Sequence, residues 1–355
     1  MPPPSDPRGH ELLARRLAQI PDVLARMLAR PPAPLQAATR DARRLIVTGT
    51  GSSEAHARYL VALLNLHTDR SAAYLPLSGF TASHREAFEG KTLVVFSQGV
   101  SPNAQLALRR HREFAHAVLF SATTPAVAAA AGKPDRAALL RELLAAGGEL
   151  VVFPLAEEYT TLIRFVGPMA GYLAGLQFTA QLAGCRFPPP AAAAILPLLT
   201  TEPPADLLAA MLGAPETFAR GFSLVCAAPI SDFAQNLACK FMEGVFWPCP
   251  LVSDFLQFAH GPFQQMSAHP RPVVILQGDS PLEAELVGRS VAMLRDTGLP
   301  AFVVKVDAPP LYSIFGFEAV FNRLVFALMQ QFGTDQVNWP GKGRDDRLYG
   351  FCPDA

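Results

Sequence analysis

Two stretches place small and hydroxyl residues where an apolar run gives way to a helical pattern. In Leu45-Ile46-Val47-Thr48-Gly49-Thr50-Gly51-Ser52-Ser53 a strand-like run ends in glycine and serine, and a helix-like segment through Ala55, Leu60 and Leu64 follows. Farther along, Thr92-Leu93-Val94-Val95-Phe96-Ser97-Gln98-Gly99-Val100-Ser101-Pro102-Asn103-Ala104 repeats the arrangement. Glycine lets backbone N–H groups come close to a ligand, serine adds hydroxyls, and the positive end of the following helix favours an anion or a polar oxygen. Such turns suit the binding of a small polar molecule. A plain structural turn has the same composition, so the first stretch alone leaves both readings open.

A third region holds groups that can move protons. Ala238-Cys239-Lys240-Phe241-Met242-Glu243-Gly244 is followed by Phe258-Ala259-His260-Gly261-Pro262. A carboxylate shielded from water has its pKa raised into a useful range, and imidazole titrates near neutrality, so the pair suits proton transfer beside a carbonyl. Residue types leave alternatives here too. Lys240 stands three residues before Glu243 on one helix face, the spacing of a structural ion pair, and His260 could simply bond backbone at a Gly-Pro turn.

In order and type, these segments resemble the sugar isomerase (SIS) superfamily. Its first loop reads Gly-Thr-Ser or Gly-Ser-Ser, its second Ser-Gln-Ser-Gly-Glu-Thr, and a Leu-Lys-x-x-Glu helix precedes a His-Gly-Pro turn. Gly51-Ser52-Ser53 matches the first loop, Ser97-Gln98 is retained from the second, and Lys240, Glu243 and His260-Gly261-Pro262 match the rest at similar spacing. The resemblance runs over nearly the whole chain and is to the tandem type, as in the isomerase half of glucosamine-6-phosphate synthase and the fructosamine-6-phosphate deglycases. It implies an isomerase or deglycase/deaminase acting on a sugar or amino sugar, with no cofactor and no metal. Glu243 would move a proton through an enediol, His260 would open the sugar ring, and Lys240 would steady the developing enolate oxygen. It also implies a homodimer, with the histidine supplied across the interface. A sugar-binding or regulatory protein without turnover is the alternative.

The departures from the motif bear on the ligand. Gly99 and Pro102 stand where the second loop has its second serine and its threonine, so two hydroxyls are gone and Pro102 also lacks an N–H. Ser101 and Asn103 are the replacements at hand, and a phosphate is expected to add little affinity. Thr160 and Thr161, after Glu157-Glu158-Tyr159, match a ligand loop of the family and equally suit a helix cap. In the carboxy-terminal tail no lysine follows Lys342, which argues against a glucosamine-6-phosphate-forming isomerase and leaves Arg347 or Tyr349 to close over a ligand.

These groups need a scaffold. Lys+Arg of 30 balance Asp+Glu of 30, so no basic surface for nucleic acid is expected. Val166 to Ala183 comes nearest to a membrane span but carries Gly and Gln, and reads as a buried helix. Met1-Pro2-Pro3-Pro4-Ser5-Asp6 lacks the order of a signal peptide, so a cytoplasmic location is expected. Five cysteines (Cys185, Cys226, Cys239, Cys249, Cys352) show no CxxC spacing, and His56, His67, His84, His111 and His116 no metal spacing. Residues 8–30 read as an amphipathic helix. Strands are expected at 45–47, 73–77, 92–96, 117–120 and 150–153, then at 223–226, 249–252, 272–276 and 301–304, with a last helix at 317–332. The alternation predicts an α/β fold of two SIS-like domains, each a parallel sheet flanked by helices. The expected division is an N-terminal helical segment (1–40), a first domain (41–190), a proline-rich linker (191–215), a second domain (216–335) and a tail (336–355).

Overall fold

A computed structural model describes residues 8–154, 158 and 160–351. The amino-terminal hexapeptide, Glu157, Tyr159 and Cys352 lie outside the described residues. Two all-parallel sheets form. The first contains β1 (Arg44–Thr48), β2 (Ser71–Tyr74), β3 (Thr92–Phe96), β4 (His116–Ser121) and β5 (Glu149–Val152), in the order β2-β1-β3-β4-β5. The second contains β6 (Ser223–Cys226), β7 (Leu251–Asp254), β8 (Val273–Gln277) and β9 (Ala301–Lys305), in the order β7-β6-β8-β9. The second sheet thus follows the order of the first, one strand short. Every residue of β3 and β4 is buried, as a parallel strand covered on both faces requires.

The principal helices are α1 (His10–Ala29), α2 (Ser52–His67), α3 (Pro102–Leu108), α4 (Val166–Ala183), α5 (Gln235–Val245), α6 (Pro262–Ala268), α7 (Pro281–Asp296) and α8 (Pro310–Phe332). Packing divides the chain into two compact units. A five-stranded unit takes residues 22–158, 166–191 and 340–355, and a four-stranded unit takes the rest, 1–21, 159–165 and 192–339. In the five-stranded unit Leu93, Val95, Leu119 and Leu140 centre the core on one side of the sheet. On α4, small residues let α2 come close: a Cβ at Gly171 would fall 2.3 Å from the His56 ring, and His56 Nε2 donates to the Pro168 carbonyl at 2.9 Å. In the four-stranded unit Val225, Ile275, Phe258 and Leu294 play the central part.

Several expected boundaries shift for identifiable reasons. Strands β2 and β7 lie two residues from their expected places, because Pro76 and Pro250 cannot donate to a ladder and so bound them. The last helix begins earlier, at Pro310, a residue suited to a first helical turn. The stretch expected as a linker is largely helical. Turns at Ala192–Ile195 and Leu196–Thr200 precede helices at Ala205–Gly213 and Pro215–Ala219, and Arg323 on α8 donates to the Leu199 and Thr201 carbonyls at 2.7 and 3.3 Å. Proline there starts helices where it was read as breaking the pattern. Gln336, expected to open the tail, is fully buried. Among the described residues one helix, Leu311–Phe332, is long and apolar enough to cross a membrane, in place of Val166–Ala183; most of it is buried within the protein.

Candidate functional site

Strands β1 and β3 are direct neighbours, with Thr48 opposite Val95, so the turns that follow them emerge side by side. Strand order changes direction between them, since β2 lies beyond β1 and β4 beyond β3. In open parallel sheets ligands bind at that switch, beyond the carboxyl ends of the strands. The first turn closes tightly. A Cβ at Gly49 would lie 2.3 Å from the Ser53 carbonyl oxygen, and Gly51, at φ 61°, leads into α2. Tyr74 holds this turn by donating its hydroxyl to the Gly49 carbonyl at 3.2 Å, and the Arg58 guanidinium stacks 4.0 Å from the Tyr74 ring centre. Burial, and then the Glu54 charge, push the Tyr74 phenol up to about 12, so it remains a donor. Gly51 is exposed, and Ser52 and Ser53 are half-buried at the turn.

The second turn spends much of its hydrogen-bonding capacity internally. Ser97 and Gln98 are buried at the end of β3. The Ser97 hydroxyl accepts the Ser101 N–H at 3.1 Å, and the Ser101 hydroxyl accepts the Ala104 N–H at 3.4 Å, capping α3. Between them Val100 has φ 51°, a left-handed conformation that disfavours a β-branched residue; it stands where the SIS motif has glycine. Oriented with its nitrogen toward them, the Asn103 amide donates to the Leu348 and Tyr349 carbonyls at 3.3 and 2.6 Å. That contact seats the short Asp346–Tyr349 turn, on which Arg347 is exposed.

Lys240, Glu243, His260, Thr160 and Thr161 belong to the four-stranded unit, the other nominated residues to the five-stranded one. On α5 the buried residues Leu237, Ala238, Phe241 and Val245 face inward. Phe241 packs edge-on to Phe222 at 4.9 Å and stacks with Trp247 at 6.2 Å. Gly244 lets α5 lie against α8, because a Cβ there would fall 2.2 Å from Val325 Cγ1. This anchoring leaves Glu243 half-buried.

Lys240 does make an ion pair, but with a different carboxylate. Its Nζ lies 2.9 Å from Glu318 Oε2 on α8, and Asn236 Nδ2 donates to Glu318 Oε1 at 2.6 Å; both charges are buried. Among the described residues nothing hydrogen-bonds or ion-pairs with the Glu243 carboxylate. Burial raises it to about 7, against the opposing charges of Lys240 and Arg164. The helix end is held by Gln336, whose amide nitrogen donates to the Glu243 and Gly244 carbonyls at 2.9 and 3.0 Å and whose amide oxygen accepts the Ile163 N–H at 3.1 Å. Thr160 and Thr161 are engaged by Arg16, at 3.0 and 2.5 Å, and Thr161 donates onward to the Ile163 carbonyl at 3.0 Å. His260 is exposed; its N–H donates to the Gln257 carbonyl at 2.9 Å, and Gly261, at φ 115°, opens α6.

Two residues that shape this site escape a sequence reading, and only one left a signal. Glu318 is the lone acid in the apolar helix α8, which marks a buried charge in need of a partner. Gln336 follows no pattern. At the switch point of the second sheet, the turn after β8 is filled from within: Glu283 accepts the Gly278 N–H at 2.5 Å where an anion would otherwise sit.

No protein-family model and no curated relative matches the sequence. Solved structures do match. The C-terminal domain of glucosamine-fructose-6-phosphate aminotransferase from Francisella tularensis aligns with TM-score 0.71 and 13% identity, covering 92% of this chain and 98% of that one. Glucosamine-6-phosphate deaminase from Thermotoga maritima aligns at 0.65 and 13%, covering 94% and 97%. Tagatose-6-phosphate ketose/aldose isomerase from Escherichia coli aligns at 0.62 and 13%, covering 93% and 95%. At such identities the likeness is one of fold alone: the chain shares with these solved structures an α/β architecture, here built of two parallel sheets flanked by helices.

Proposed function

We propose that the protein isomerises or deaminates a sugar or amino-sugar derivative by moving a proton beside a carbonyl. The observation that carries this reading is the Glu243 carboxylate, half-buried, free of any hydrogen-bond donor among the described residues, and raised to about 7. A group so placed is half ionised near neutral pH, takes a proton from one carbon and returns it to the next. Lys240, fixed by Glu318, supplies a positive charge near the developing oxyanion. His260 passes a proton between ring oxygen and anomeric hydroxyl, in a homodimer that brings a second copy's histidine to the site. No cofactor takes part, and the cytoplasm is the setting. The names of the structurally similar proteins, which act on phosphorylated sugars, support the substrate class.

The test is solvent-deuterium incorporation beside the carbonyl of aldose, ketose and amino-sugar candidates, each with and without phosphate, followed by NMR. Glu243→Gln should keep ligand binding and slow exchange by a factor on the order of 10² or more. His260→Ala should harm cyclic substrates more than open-chain ones. Equal exchange by the parent and Glu243→Gln would overturn the assignment and favour a sugar-binding protein without turnover.

A further inference from the structure

Cys239 lies on α5 one helical turn before Glu243, and Cys249 lies in the Pro248-Cys249-Pro250 run that leads to β7. Their sequence spacing suggests nothing, yet the fold brings them together. The Gln235 side-chain nitrogen is 3.1 Å from Cys249 Sγ and 3.8 Å from Cys239 Sγ, so one amide reaches both sulfurs. Both are free thiols and half-buried, open enough for a small reagent, whereas Cys226 is fully buried. We propose that Cys239 and Cys249 form a reversible, hydroperoxide-sensitive disulfide beside Glu243.

The two sulfurs have different parts. The Cys239 S–H and then the Gln235 N–H stabilise a thiolate at Cys249, pulling it down to about 7 although burial opposes this. Cys239 moves the other way, raised by the same thiol contact and by burial. Cys249 is therefore the attacking sulfur, and Cys239 the resolving one. The Cys249 thiolate attacks one oxygen of hydrogen peroxide, the O–O bond breaks, and a sulfenic acid and hydroxide result. The Cys239 thiol then attacks the Cys249 sulfur, the S–O bond breaks, and the disulfide forms with release of water. Two electrons pass from the thiol pair to the peroxide, and a dithiol reductant returns them. The alternative is a pair of inert thiols that fill space as small apolar groups.

Because trypsin cuts after Arg220 and Lys240, the two cysteines fall on separate peptides. The full chain is treated with hydrogen peroxide, blocked with N-ethylmaleimide and digested without reduction. A cross-link between the 221–240 peptide, through Cys239, and the peptide carrying Cys249 is expected, with both thiols recovered after dithiothreitol. Cys239→Ser should leave Cys249 as a sulfenic acid that dimedone traps, and Cys249→Ser should leave Cys239 reduced. Continued alkylation of both thiols at peroxide doses that oxidise Cys185 would overturn the proposal, as would over-oxidation of Cys249 without a cross-link. If a variant fails to fold, the map of the parent chain decides. This readout does not depend on turnover, so its failure leaves the role of Glu243 standing; an effect of oxidation on turnover is a separate measurement that rests on that role.

Discussion

A carboxylate raised to about 7 has a thermodynamic signature as well as a catalytic one. The fold favours the neutral acid of Glu243, so its contribution to stability is full below the ordinary value of 4.5 and is lost as pH rises through about 7. Relative to Glu243→Gln, the parent should therefore lose roughly 2 kcal/mol of stability between pH 5 and pH 8, at about 1.36 kcal/mol per pH unit of displacement. Urea unfolding of both proteins at the two pH values checks this, and a constant difference between them would refute it. Lys240 and Glu318 obey a different rule, since removing one partner of a buried pair strands the other charge. Glu318→Gln should cost about 3–5 kcal/mol, while Lys240→Met combined with Glu318→Leu should recover most of it. The Lys-x-x-Glu spacing made Lys240 and Glu243 legible as a pair of chemical interest. The true partner of Lys240 was not legible, because it comes from a helix far along the chain that only tertiary packing brings near.

Among the elements, the second turn carries the sharpest consequence for specificity. Ser97, Ser101 and Asn103 are engaged by Ser101, Ala104, Leu348 and Tyr349, and Pro102 has no N–H to offer. A sugar phosphate should therefore bind less than about tenfold more tightly than its unphosphorylated counterpart, a difference below about 1.4 kcal/mol. Calorimetric titration of matched pairs measures it, and a hundredfold preference would show that the turn rearranges into a phosphate cradle. The end of α5 has its own anchor in Gln336. Gln336→Ala leaves two carbonyls and an N–H without their buried partner, and should lower stability by about 1–3 kcal/mol in thermal or urea unfolding. Apart from β2 and β7, the strands could be read from the sequence nearly to the residue, because apolar runs such as Thr92–Phe96 are bounded by glycine, proline and serine. Helical order across the proline-rich stretch could not, since a proline at a first helical turn and one in a loop look alike until the partner helix is known.

At the scale of the molecule the two units are interleaved along the chain, not strung end to end. Residues up to 21, 159–165 and 192–339 make one, and the intervening stretches with 340–355 make the other. Deleting residues 1–21 would remove Arg16 from Thr160 and Thr161, together with the buried Leu13 and Ile20. At about 1.5–3 kcal/mol for each apolar side chain, a chain that starts at residue 22 should show a stability loss of several kcal/mol even though its five-stranded sheet is complete. The same order along the chain bears on the protein's birth. Arg8 and Arg16 are synthesised long before the Gln336 N–H that bonds the Arg8 carbonyl. At roughly 5–20 residues per second, the amino-terminal helix waits tens of seconds for the segment that completes its surroundings. During that wait the Arg8 carbonyl and the His10 ring have only water for partners, where the finished fold gives them the Gln336 N–H and the Thr334 carbonyl.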